Sequence, residues 1–352
     1  MTSLYLHIGT EKTGSTAIQN LLTRLVSDAD EPCFLSPINH VRVKLREGNF
    51  TGLYHWIRGL PQPESAPVSQ LQLHRRIHRF LSRLVKESRE HGHLPVFLSN
   101  EHISKLEKEE VDELINRLGA YFDQVHVVCF LRSHVSFGLS MLSQALKAGV
   151  AVDLETPFNT FYSRSRAIRT FKAWGSASVS SIHFSEFNPP GSSGNSLIHQ
   201  FVDPAIDLNL LPESSKHIFG SMYESMPRSN LSIPTDFFAI AASFNQYLNT
   251  CPMSPRELRK IRSKGMQYLA NADASRGGGL FTADALQRWL AKAEHWEACH
   301  QEELGSLDFS AGFYQCRNHL QRLHAQHIRQ SLALTSSEKS LFSELLRYLE
   351  LA

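Results

Sequence analysis

The residues best suited to chemistry lie within the first sixteen of the chain. After the apolar alternation Leu4, Leu6, Ile8 comes Gly9-Thr10-Glu11-Lys12-Thr13-Gly14-Ser15-Thr16, followed by Ile18, Leu21, Leu22 and Leu25 at helical spacing. A strand, a glycine loop and a helix N-terminus in that order form an anion cradle. Backbone N–H groups and the positive end of the helix dipole converge there, and glycine lets the backbone close around phosphate-type oxygens. Lys12 adds a full positive charge, and Thr13, Ser15 and Thr16 add hydroxyl donors.

Two further groups fall at the ends of apolar runs. Arg132 follows Val125 to Leu131, the best strand pattern in the chain, and Ser140 lies eight residues on in a helical pattern. A guanidinium fork with a hydroxyl is suitable chemistry for a phosphate dianion. Glu101 and His102 follow Val96-Phe97-Leu98-Ser99-Asn100, on the edge of a sheet where ligands bind. Either side chain could take a proton there. An unperturbed imidazole, with a pKa of about 6.5, suits that task near neutrality, whereas a strand-end carboxylate could equally cap the next helix or pair with a loop arginine.

Spacing separates the loop from a nucleoside-triphosphate P-loop, G-x-x-x-x-G-K-[ST]. Gly9 and Gly14 keep that interval, but Ser15 follows Gly14 and the lysine sits inside the loop. The arrangement resembles the 5′-phosphosulfate loop of the sulfotransferase family, G-x-x-K-[TS]-G-[TS]-[TS]. Arg132 with Ser140 resembles that family's 3′-phosphate motif, and Ser99-Asn100-Glu101 resembles the S-x-E signature of its bacterial, carbohydrate-type branch. Motifs carry the resemblance over residues 4–144, and more loosely over 158–232. It implies a P-loop-like sulfotransferase fold and 3′-phosphoadenosine 5′-phosphosulfate (PAPS) as cofactor, with 3′,5′-adenosine bisphosphate as product. It further implies transfer of a sulfuryl group to a hydroxyl or amine, on a carbohydrate or glycoconjugate, with no metal. Gly9, Thr10, Lys12, Thr13, Gly14, Ser15 and Thr16 would hold the 5′-phosphate, and Lys12 would neutralise charge on the leaving oxygen. Arg132 and Ser140 would hold the 3′-phosphate, and Glu101 or His102 would be the base. Arg228, in Pro227-Arg228-Ser229-Asn230-Leu231-Ser232, resembles the loop that closes over the nucleotide, although the R-K-G signature of the cytosolic aryl branch is missing. Ile182 to Phe187 resembles a family strand and turn with a structural role. Two other readings stay open: a P-loop-type kinase or nucleotide hydrolase, and a catalytically silent nucleotide-binding or assembly protein on the same fold.

The elements that must position these groups alternate. Strands are expected at Leu4–Ile8, Pro32–Ser36, Leu94–Leu98, Val125–Leu131 and Val179–Phe184, with helices at Leu71–Glu90, Val111–Leu118, Val135–Ala148 and Phe158–Trp174. That pattern argues for an α/β fold: an open parallel sheet flanked by helices, with a mostly helical C-terminal half. Residues 1–235 are expected to form the α/β core, and 236–352 a helical extension packing on it. The tail from Gln315 reads as amphipathic helices that could pack on the core or join a homodimer.

Composition bounds the rest. The chain has 352 residues, 42% of them hydrophobic, and a net charge of +2, which gives no support for a nucleic-acid partner. Five widely spaced cysteines without C-x-x-C point to reduced thiols, and no apolar run is long enough for a transmembrane segment, so a cytoplasmic location is expected. No signal peptide is expected ahead of the first strand. The histidines are scattered, so no metal site is expected. Trp56, Trp174 and Tyr162 are expected to be packing residues rather than adenine-stacking ones. The Arg and His residues of Leu71–His93 suit an acidic glycan or a solvated helix face about equally.

Overall fold

The structure is a computed structural model in which residues 1–11, 13–28, 33–36, 52–59, 70–132, 134–150, 167–187, 196–226, 233, 235–273, 287–288, 291 and 334–351 are described. Lys12, Arg228 and Tyr162 lie outside the described residues. The chain divides into two compact units, residues 1–132 with 166–227, and residues 133–165 with 228–352.

The first unit is built on a parallel sheet of β1 (Ser3–Gly9), β2 (Val96–Ser99), β3 (Gln124–Leu131) and β4 (Ser181–Glu186), in the order β2-β1-β3-β4. β1 is buried along its whole length because it has a partner on each side and helices over the sheet. Leu35 adds a single parallel bridge to Val96 at the β2 edge, the remnant of the strand expected over 32–36. Parallel strands need crossovers. Helices α1 (Ser15–Asp28), α2 (Gly52–Arg58) and α3 (Gln70–Glu90) join β1 to β2, and α4 (Lys108–Gly119) joins β2 to β3. Further on come α5 (His134–Ala148), which belongs to the second unit, and α6 (Ala167–Gly175), which leads into β4.

Strand alternation sends Tyr5, His7, Phe97, Val128 and Phe130 toward α1 and two later helices, α7 (Ser196–Asp207) and α8 (Ser215–Ser225). There Ile18, Leu21, Leu22 and Leu25 of α1 meet Leu197, Phe201 and Phe219. The Tyr5 hydroxyl donates to the Phe201 carbonyl at 2.7 Å, which satisfies the one polar atom that ring carries into the core. Helices α3 and α4 lie outside this cluster and pack on β2 and β3. In α3, Leu73, Ile77, Phe80, Leu81, Leu84 and Val85 are buried, the face that the helical spacing of the sequence implies.

The second unit is helical. α5, α9 (Phe238–Thr250), α10 (Pro255–Ala270) and α11 (Ser336–Tyr348) enclose Leu142, Leu146, Phe238, Phe244, Leu248, Met266, Leu269, Leu341 and Leu345. Capping boxes start α10 (Ser254 with Glu257) and α11 (Thr335 with Glu338). The buried Asn245 amide donates to the Leu146 carbonyl at 2.7 Å and fixes α9 against α5. This unit therefore takes in 133–165 as well as the helices after 235. Among the described residues, no helix is long and apolar enough to cross a membrane.

Candidate functional site

β1 and β3 are neighbours whose outgoing connections run in opposite directions, one toward β2 and the other toward β4. Such a reversal opens a crevice beyond the carboxyl ends of the strands, where ligands of open α/β sheets bind. All four strand ends reach that edge. Gly9 pairs with Phe130, and the Thr10 N–H donates to the Phe130 carbonyl at 3.0 Å. The Phe187 N–H donates to Leu131 at 2.7 Å, and the Asn100 N–H to His7 at 3.0 Å.

The loop between β1 and α1 is held by its glycines. Gly14 has φ 76°, and a β-carbon there would lie 2.8 Å from Phe187 Cε2 and 2.9 Å from Leu197 Cδ2. Its carbonyl accepts the N–H groups of Ala17 and Ile18, so the chain turns into α1 at this residue. A side chain at Gly9 would run into the Thr13 hydroxyl, which itself donates to the Thr10 carbonyl at 2.6 Å. Thr10 Oγ1 and Ser15 Oγ are buried and have no hydrogen-bond partner among the described residues. Buried hydroxyls without partners are costly. At a helix N-terminus, the oxygens of an anion would satisfy them.

Arg132 stands at the end of β3, half-buried, with its guanidinium carbon 5.2 Å from the centroid of the Phe187 ring. Burial pushes the guanidinium down to about 10, so at neutral pH it is a desolvated cation. Phe187 touches the space above Gly14 and also carries Arg132. The ring is thus a wall common to the loop and the arginine. Thr16 is half-buried at the start of α1, and Ser140 is half-buried on α5 in the second unit.

Glu101 opens a 3-10 turn, His102–Lys105, but its side chain makes no capping bond to that turn. The buried Asn100 side chain accepts the His102 N–H at 2.9 Å instead, while the Glu101 carbonyl takes the Ser104 hydroxyl at 2.6 Å. His102 is half-buried. Burial and the Lys105 ammonium lower its pKa against an opposing pull from Glu11. Glu11 and Lys105 form an ion pair, which ties the loop to the end of β2. Helix α2 lies over this corner. The Arg58 fork holds Glu110 at 2.8 and 2.7 Å and reaches the Lys105 carbonyl at 3.2 Å and the Tyr54 hydroxyl at 3.1 Å. The Tyr54 ring lies 6.0 Å from that of His102. The pKa of His55 is lowered by burial and by the charge of His102, and its Nδ1 has no partner among the described residues.

Behind the loop, His7 is fully buried with Nδ1 2.8 Å from Ser99 Oγ, and Gln19 donates to the same hydroxyl at 3.2 Å. Burial lowers His7 to about 3, so it stays neutral.

The structure therefore brings Gly9, Thr10, Thr13, Gly14, Ser15 and Thr16 to one sheet edge with Arg132, Glu101 and His102. Sequence reasoning missed Glu11, Lys105, Asn100, Tyr54 and His55 as parts of this corner. Only Glu11 carried a signal, a carboxylate inside a loop otherwise made of glycines, hydroxyls and a lysine. Trp56 and Trp174 are buried packing residues, and the Trp56 indole donates to His74 at 2.8 Å. No family model, curated protein or solved structure matches this chain.

Proposed function

We propose that the chain is a PAPS-dependent sulfotransferase on a P-loop-like fold, of the carbohydrate-type branch that its motifs resemble. One observation carries the reading: Phe187 forms a wall common to the glycine loop and to Arg132, at the topological switch point of the sheet. A cofactor with phosphates on the 3′ and 5′ carbons of one ribose needs two such patches close together. The unpartnered hydroxyls of Thr10 and Ser15, the closed turn at Gly9 and the desolvated Arg132 fit that group.

When bound, PAPS supplies the sulfuryl group. The chain supplies positioning and electrostatic stabilisation. The loop N–H groups, with the hydroxyls of Thr10, Ser15 and Thr16, would hold the 5′-phosphate, the Thr13 hydroxyl would keep the loop closed through its bond to the Thr10 carbonyl, and Lys12 would stabilise charge on the leaving oxygen. Arg132 would hold the 3′-phosphate; Ser140 and Arg228 are candidates for that role from the motif resemblance alone. The acceptor hydroxyl or amine gives its proton to Glu101 or His102. His102 is the better suited, because its surroundings keep it neutral at neutral pH and free to accept a proton.

Thermal shift with 3′,5′-adenosine bisphosphate and with ATP, followed by labelled-sulfate transfer from PAPS to a panel of glycans, tests the proposal. Stabilisation by the bisphosphate above that by ATP, with transfer to a hydroxyl, is the expected result. Preference for Mg-ATP would make the protein a kinase or nucleotide hydrolase. Bisphosphate binding with no transfer to any acceptor would make it a silent relative.

A further inference from the structure

Helix α3 carries a feature that the proposed chemistry does not use. Its apolar face is buried, and its exposed face bears Arg75, Arg76, Arg79, Arg83 and Lys86. Helical spacing places these five within about 100° of the helix circumference, along roughly 16 Å of its axis. Arg83 pairs with Glu87 and Lys86 with Glu90, both toward the C-terminal end. No acidic residue stands between Gln70 and Lys86, and none lies in the first turn. Arg75, Arg76 and Arg79 make no ion pair among the described residues. Like charges three and four residues apart, near the positive end of a helix dipole, weaken the helix that bears them. Packing of the apolar face holds the helix in spite of them.

We propose that this ridge is the docking surface for an anionic polysaccharide, a chain of sugars bearing carboxylates or sulfates, whose hydroxyl is the acceptor. The acceptor clause rests on the sulfotransferase reading. Three observations select this occupant. First, α3 packs beside α2, whose Tyr54 ring lies 6.0 Å from that of His102, so the helix that bears the ridge borders this corner of the site. Second, the apolar face that would enter a membrane surface is already used in the core. Leu71 is the one large exposed apolar side chain of α3 among the described residues. Third, the exposed face offers no Phe, Tyr or Trp on which bases could stack. Guanidinium forks in a row match a linear series of carboxylates or sulfates.

The test uses the full chain, the variant Arg75→Gln/Arg76→Gln/Arg79→Gln, and a charge control, Lys172→Gln/Lys260→Gln/Lys339→Gln, in which three exposed charges are removed elsewhere. Binding of labelled sulfated dextran and polygalacturonate is measured against salt, with neutral dextran as blank and a DNA duplex and phosphatidylserine vesicles as competitors. The expected result is salt-dependent binding of both polyanions that falls tenfold or more in the arginine variant but not in the control. The salt slope should fall by about three, one for each charge removed. Equal loss in the control, unchanged binding in the arginine variant, or stronger ridge-dependent binding of the duplex or vesicles would overturn the proposal. Bisphosphate thermal shift is read in parallel on all three proteins. Its absence beside ridge-dependent glycan binding would remove the transfer reading and leave the surface standing. Its presence without ridge dependence would remove the surface alone.

Discussion

At Gly14 two independent constraints meet. A backbone with φ 76° costs any residue with a β-carbon about 1–2 kcal/mol, and here that atom would also press on Phe187 and Leu197. Gly14→Ala should therefore lower the thermal midpoint and weaken bisphosphate binding together, readable by calorimetry with and without ligand. Arg132 is different, because its removal leaves the loop intact. Loss of a charge-assisted contact of about 1.5–3 kcal/mol corresponds to roughly ten- to a hundredfold in Kd. Arg132→Ala should thus weaken bisphosphate binding by that factor with little change in the stability of the free protein. Lys12→Ala should instead lower kcat by orders of magnitude with a smaller effect on binding, if the proposed mechanism, in which its charge acts on the leaving oxygen, holds. Equal small effects of both substitutions on labelled-sulfate transfer would count against the assignment. The turn at Gly9 and Gly14 was legible because glycines at that spacing after a strand describe a backbone conformation. Phe187, in contrast, acquires its role through neighbours far away in sequence.

The end of β2 and the helices around it behave as one element. Arg58 fastens α2 to Glu110 and to the Lys105 carbonyl, while Glu11 fastens the loop to the same turn through Lys105. In the proposed reaction, Arg58→Gln should free α2, whose Tyr54 lies beside His102, and raise KM for the acceptor more than it lowers kcat. The depressed His102 gives a pH signature. A base whose pKa lies below 6.5 remains neutral further into acid, so the acid limb of kcat/KM should fall below pH 6.5. His102→Asn should abolish that limb along with most turnover, whereas Glu101→Gln should leave both nearly intact. The reverse pattern would give the proton to Glu101. The sequence located this corner only through its strand-end acid and imidazole. Asn100, rather than Glu101, supports the turn, because its buried side chain reaches the His102 N–H.

At the scale of the whole molecule, the first unit keeps an uncharged histidine in its core. The native His7 refuses a proton until about pH 3, while an unfolded imidazole takes one near 6.5. The unfolded chain binds the extra proton, so stability is complete above pH 6.5 and declines as pH falls toward 3, by up to about 1.4 kcal/mol per pH unit. Burial of His126 and His183 acts in the same direction. Unfolding midpoints measured from pH 7 to 4 should fall more steeply for the native chain than for His7→Gln, and parallel slopes would refute this account. The division into units is also a whole-molecule property. Segment 133–165 follows the central strand in sequence yet belongs with the helices after residue 227. Periodicity cannot reveal such an exchange, because an amphipathic helix such as α5 looks the same whichever unit buries its apolar face.

The sequence by itself determined the parallel α/β frame, the strand ends at Gly9, Ser99, Leu131 and Glu186 to within a few residues, and the glycine loop between β1 and α1. Each follows from local physics: apolar runs, helical spacing, and glycines that permit a turn. Tertiary structure alone decided that β1 lies between β2 and β3, so that Gly9 faces Phe130 and the loop stands beside Arg132. It also decided which polar groups are paired and which are left buried without partners. Strand order and desolvation depend on contacts between residues far apart in the chain, and those are absent from any local pattern.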